Sequence, residues 1–202
     1  MKKYVEKLKK LNACQDAIEY SEKFSTLQKA WNECNRGDWM LWLLGRLSGP
    51  PDSESRKHVV LIACKCARLS LKYIPKDEKR PLEAIQTTEK YSNGKATFEE
   101  VKKAFAAATA AFAASTASDS AAASASATAF AASTAAFAAS TASDSAAASA
   151  TAFAASTAAS AAASASATAA SVKEDILKKC SNIVRKYHPI MKINNYTHNE
   201  NK

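Results

Sequence analysis

The chain has 202 residues, 47% of them hydrophobic and 23% charged, with a formal charge of +9, enough for one core of respectable size and at most an appendage. The charge is uneven: residues 1–103 carry 21 Lys and Arg against 14 Asp and Glu, 172–202 carry 7 against 3, and 104–171 hold no cation and only Asp119 and Asp144. A basic excess of this kind suits an anionic partner (nucleic acid, nucleotide or acidic protein) or is a solvated surface, and charge by itself is too little to assign a nucleic-acid function.

The chain starts Met1-Lys2-Lys3-Tyr4 and runs into a charged amphipathic stretch, which has no apolar signal core. Cys14, Cys34, Cys64, Cys66 and Cys180 form an odd set without C-x-x-C spacing. Cys64 and Cys66 would point about 200° apart on a helix, an awkward grip for one metal. They read as structural buried thiols, and with the missing signal they place the protein in the cytoplasm.

Helix starts and stops follow from capping chemistry. Asn12-x-x-Gln15 and Ser25-x-x-Gln28 look like capping boxes that open two short helices, the second closed by Gly37. Asp38 is placed to cap Trp39-Met40-Leu41-Trp42-Leu43-Leu44, which is apolar all round and therefore a buried helix. Ser48-Gly49-Pro50-Pro51-Asp52 is a turn. From Ser53 to about Tyr73 a longer helix presents Val59, Ile62, Ala63, Cys66 and Leu69 on one face, with Arg56, Lys57, Lys65, Arg68 and Lys72 also along it. Asp77 caps a helix that starts near Arg80-Pro81 and stops at Asn93-Gly94, and Thr97-x-x-Glu100 is a further capping box.

Residues 104–171 consist of Ala, Ser, Thr, five Phe and two Asp. The stretch is too weakly apolar for a membrane span, and its alanine content, without Gly or Pro, favours helix over disorder. Phe112–Ala125 and Phe137–Ala150 are identical, and FAAST begins at Phe112, Phe130, Phe137 and Phe153. One helix of this length would span ~100 Å, far more than a globule of this size, so the block is expected to fold back on itself. Ser118-Asp119-Ser120 and Ser143-Asp144-Ser145 are the expected breaks, giving about three close-packed antiparallel helices with Phe between them. The two Asp read as caps, or as acids aimed at a basic partner. A closing helix from Val172 to about Tyr187 carries Ile176, Leu177, Cys180, Ile183 and Val184 and should pack on the N-terminal part. The expected organisation is all-α: a single helical domain over 1–190, made of capped short helices (1–103), the Ala-rich repeat (104–171) and a closing helix (172–188), with a flexible tail at 191–202. A block so poor in large apolar side chains also leaves self-association open.

No P-loop, G-x-G-x-x-G, H-E-x-x-H or G-x-S-x-G is present, and His58, His188 and His198 are scattered. The expectation is a protein that is not an enzyme and carries no cofactor or metal. The densest cluster of unusual residues runs from Ala30 to Trp42. Trp31, Trp39 and Trp42 could stack on a planar ligand while Arg36, beside Asp38, meets an anion, and Arg46, Asp77 and Arg80 could join them. The plainer reading makes the tryptophans core anchors, Gly37 a stop, Asp38 a cap and Arg36 its partner. The candidate binding residues are Trp31, Arg36, Asp38, Trp39, Trp42 and Arg80.

At these residues the chain resembles the alanine-rich immunity-protein group of bacteria and their phages, which carry an immunity-five-like domain. The resemblance rests on LNACQDAIEY (11–20), AWNECNRGDWMLWLL (30–44), RKHVVLIACKCARLSLKY (56–73), DEKRPLEAIQTTEKYSNGKAT (77–97), the Ala-rich block and ILKKCSNIVRKY (176–187). Members of the group decorate the Ala block with Tyr and Asp, where this chain has Phe, Ser and Thr. The resemblance implies a non-catalytic cytosolic binding protein that neutralises or sequesters a toxin or effector protein. Two other readings stand beside it: a phage-encoded anti-defence sponge for an anionic nucleotide, and an ice-binding or structural Ala/Thr-rich protein, against which the irregular Thr spacing speaks.

Overall fold

In this computed structural model the described residues are 2–50, 53–73, 77, 79–97, 99–104, 107 and 169–190. Every regular element among them is helical, and the helices pack on one another without a strand. In chain order they are α1 (Lys3–Lys10), α2 (Gln15–Glu22), α3 (Leu27–Glu33), α4 (Gly37–Leu47), α5 (Glu54–Ala67), a 3₁₀ segment (Arg68–Tyr73), α6 (Arg80–Ser92), a short helical stretch at 99–104 and α7 (Ala169–Tyr187). The expected breaks in the Ala-rich block, its three helices, its buried Phe and the tail lie outside the described residues.

Helix α1 turns Val5 and Leu8 inward and places Lys7, Lys9 and Lys10 in its last turn, where the helix dipole favours cations. Asn12 is not the cap of the next helix. Its φ of 62° puts it in the left-handed region, and Ala13 N–H donates to Leu8 O while Asn12 N–H donates to Lys9 O. This is a Schellman ending for α1, with Asn in the place usually held by Gly. Cys14 then precedes α2 without a side-chain cap. Lys2 Nζ donates to the Glu22 and Phe24 carbonyls, and Tyr4 OH to those of Ser21 and Phe24, which ties α1 to the end of α2. At α3 the cap is Thr26, one residue beyond the expected Ser25, and its side chain accepts from Lys29 N–H.

Gly37 does not close α3, which ends at Glu33. It is the buried first residue of α4. A Cβ there would collide with Cys180 Cβ and lie 2.7 Å from Ser181 N, so glycine is what lets the start of α4 touch α7. Asp38 sits inside the first turn of α4 and makes no cap. Helix α4 is buried almost all round, as its composition predicts, and its main neighbours are α7 and α5.

The α5 face follows the expected spacing: Val59, Ile62, Ala63 and Cys66 are buried, and Leu69 packs against them. The helix gives way to the 3₁₀ segment at Arg68, earlier than the sequence suggests. Arg56, read as one of the cations along this helix, is fully buried, and its Nε donates to Gly49 O at 3.0 Å, holding the turn that follows α4. Cys64 and Cys66 point apart as geometry requires. Cys64 joins Val60, Ala67 and Ile85 between α5 and α6, while the Cys66 thiol faces the Cys180 carbonyl of α7. Burial pushes the Cys64 thiol well up, and the Cys66 thiol is raised first by its hydrogen bond with Cys180 and then by burial. Cys14, by contrast, is exposed, which corrects its reading as a buried thiol.

Lys79, not Asp77, precedes α6, and Pro81 lies in its first turn. Asn93 and Gly94 end α6 as expected, with Gly94 at φ 69° and Lys95 N–H donating to Lys90 O. The Thr97–Glu100 capping box forms in both directions: Glu100 N–H donates to Thr97 Oγ1, and Thr97 N–H to Glu100 Oε2. In α7, Ile176, Leu177, Cys180 and Val184 fill the core beside α4 and α5. No helix among the described residues is long and apolar enough to cross a membrane.

Candidate functional site

The Trp-rich segment is split between two helices by a short linker, Cys34–Arg36, so its three indoles arrive from different directions. Trp31 comes from α3, and Trp39 and Trp42 from the first turns of α4. Together with Leu8 of α1, Ala13, Ala17 and Tyr20 of the α2 region, and Leu27, Cys34 and Met40, they line a cavity of about 310 Å³. Among the described residues no Lys, Arg, Asp or Glu lines it.

Four polar groups in this wall are occupied by neighbours. Trp31 Nε1–H donates to His188 O at 3.1 Å, Tyr20 OH to Ala30 O at 3.3 Å, Ser21 Oγ to Ala17 O at 2.7 Å, and the Cys34 thiol to Arg36 O. Burial, aided by Cys34 and Glu33 and opposed by Arg185, pushes Tyr20 up to about 12. Burial likewise raises the Cys34 thiol, so it faces the cavity protonated and is a poor nucleophile. Tyr20 also packs its ring against Phe24 at 4.9 Å and Trp39 at 5.8 Å. The wall is therefore largely apolar, suited to an aromatic or aliphatic guest.

Arg36 and Asp38 stand outside this lining. Arg36 Nε and Nη2 donate to the two carboxylate oxygens of Asp38 at 2.9 and 2.6 Å, and the guanidinium lies 4.2 Å over the Trp39 ring. The fork is thus neutralised and stacked, and the bond to Asp38 holds the Arg36 pKa above its ordinary value. Arg80 is not brought to the cavity: α6 has α5 and the 3₁₀ segment as its main neighbours. The structure gathers Trp31, Trp39 and Trp42, sets Arg36 and Asp38 behind Trp39, and leaves Arg80 elsewhere.

Arg185 of α7 fixes the far side of α3. Its Nη1 donates to Cys34 O at 2.6 Å and Trp31 O at 3.3 Å, and its Nη2 to Ser181 Oγ and Asn182 Oδ1. Two histidines that look scattered in the sequence also meet here. His58 and His188 have ring centroids 6.2 Å apart, and His188 is edge-on to Trp31 at 6.1 Å. Among the described residues no three His, Cys, Asp or Glu side chains gather as a metal site. Leu8 of α1, Ala17 and Tyr20 of α2, and His188 just after α7 carry no local spacing that marks them as site residues, because they meet the tryptophans only in space.

Compared with protein-family models, curated proteins and solved structures, the chain matches none.

Proposed function

We propose that this is a non-catalytic binding protein that neutralises or sequesters a protein partner, as the resemblance to immunity proteins implies, and that the Trp-lined cavity receives an apolar or aromatic side chain of that partner. The observation that supports this is the cavity wall: three indoles and a phenol around about 310 Å³, with no charged residue in the lining among the described residues. Binding energy at protein interfaces concentrates where one aromatic anchor fills a dry pocket, and the volume suits one such group. An anionic nucleotide would ask for a free cation at the cavity. Arg36, the nearest candidate in the sequence, is engaged by Asp38, so the guest favoured here is apolar.

The test is native mass spectrometry of the protein purified from the cells that encode it, alongside the variant Ala17→Trp, which fills the cavity. A protein-sized stoichiometric adduct on the wild type that is lost in the filled variant, with melting unchanged, is the expected result. An adduct that the filled variant keeps contradicts the assignment. A nucleotide-sized adduct abolished by Arg36→Gln would support the sponge instead.

A further inference from the structure

The cavity wall at Trp31 is held from behind by the end of α7, where His188 meets His58 of α5. Trp31 is buried, and its N–H reaches the backbone carbonyl of His188. Gln28 Nε2 donates to Pro189 O at 3.0 Å, a second tie between α3 and the same segment. From the other side, His58 of α5 donates through Nε2 to Tyr187 O at 3.1 Å. Residues 187–189 are thus strapped between α3 and α5, with the two imidazoles facing each other inside the strap.

From α5 the groups are His58, Lys65, whose ammonium lies 5.0 Å over the Tyr187 ring, and Lys57, which is paired with Glu54 at 3.0 Å. From α7 they are Arg185, Lys186 and Tyr187, with Lys186 6.0 Å over the same ring, while α3 contributes the neutral Trp31 and Gln28. Among the described residues no carboxylate is ion-paired with either imidazole. The last carbonyls of α7 attract a cation, but burial and then the His58 charge outweigh them and hold His188 below its ordinary 6.5.

Resting on the cavity reading above, the geometry points to a proton-operated clasp: His188, when neutral, packs against Trp31 and His58 and keeps residues 187–189 against Trp31, and its protonation pushes that segment away, loosens that wall and weakens capture of the apolar guest. The sign follows from linkage. A histidine whose folded pKa is lowered contributes stability that is present above its unfolded pKa and is lost as pH falls through the folded value. The clasp is therefore closed at neutral pH and opens in mild acid. Opening strips Trp31 Nε1–H of its acceptor, and a buried donor does not stay where it is unpaired.

Three nuclear magnetic resonance readouts on the full chain test this, with indole as the probe guest. The Trp31 indole N–H resonance, assigned by difference with Trp39→Phe and Trp42→Phe, should move as pH falls from about 8 to about 5. Its midpoint should coincide with that of the His188 ring protons in the wild type, a comparison that needs no variant to fold. His188→Gln should hold the Trp31 resonance at its high-pH position, and wild-type indole affinity should fall at least about threefold between about pH 7.5 and about pH 5.5, but not in that variant. A Trp31 resonance that stays still, a midpoint separate from His188, or the same movement in His188→Gln overturns the clasp. Indole that binds with pH-independent affinity overturns the regulation alone, whereas indole that binds at neither pH overturns the cavity reading on which it rests.

Discussion

Helix α4 has two sides that solve the packing problem in opposite ways. Toward α7 it gives up side chain altogether: Gly37 lies against Cys180 and Ser181 with no space for a methyl group, and Leu41, Leu44, Ile176 and Val184 close the rest of the seam. Toward α1, α2 and α3 it presents its largest side chains, Trp39 and Trp42, and they leave about 310 Å³ unfilled. Interiors are close-packed as a rule, so an apolar cavity of that size beside a seam without space for a methyl group is a local departure. Stability resides in the seam. The opposite side is where a guest could be admitted without disturbing the fold, because the helices that carry the walls are fixed elsewhere, by Arg185 on the α3 carbonyls and by Lys2 and Tyr4 on the end of α2.

The contrast predicts opposite responses to the same kind of change. The largest effect belongs to Gly37→Ala. The added methyl meets the backbone of α7, which cannot swing aside, and the variant should lose about 3 kcal/mol in denaturant unfolding, in the upper part of the usual overpacking range. Native stability in that variant would mean that α4 and α7 stand farther apart than the structure shows. At the other extreme, Ala17→Leu adds three carbon atoms to the cavity wall and should shift stability by less than about 1 kcal/mol in the same assay, since the burial gained is offset by the lost rotamer freedom of leucine. A loss as large as that of Gly37→Ala would show that the cavity is closed around its own side chains.

The seam was partly legible in the sequence and the cavity only in outline. The spacing of Val59, Ile62, Ala63 and Cys66 marks the buried face of α5 because helical period is a local property. The same is true of the Thr97–Glu100 box and of Asn93–Gly94, whose signals lie within a few residues. Gly37 misleads because a glycine after a helix usually ends it, and only α7, more than 140 residues later, shows that it is a point of close approach. Asn12 misleads for the reverse reason: its side chain suits a helix start, but its backbone takes the left-handed conformation that ends α1. The tryptophans stand out in any reading. Whether they fill a core or frame a cavity depends on Leu8, Ala17 and Tyr20, which come from helices packed against them in space. Arg36 and Asp38, two residues apart, satisfy each other, and the sequence could not tell that bidentate pair from an open anion site.

The measurement that bears most directly on this division of α4 is a titration of the protein with indole, followed through the indole N–H resonances of its own three tryptophans. Saturable shifts are expected for Trp39 and Trp42, with their loss in Ala17→Trp while the melting temperature is kept. Resonances that do not move in the wild type, or that move equally in Ala17→Trp, would contradict it.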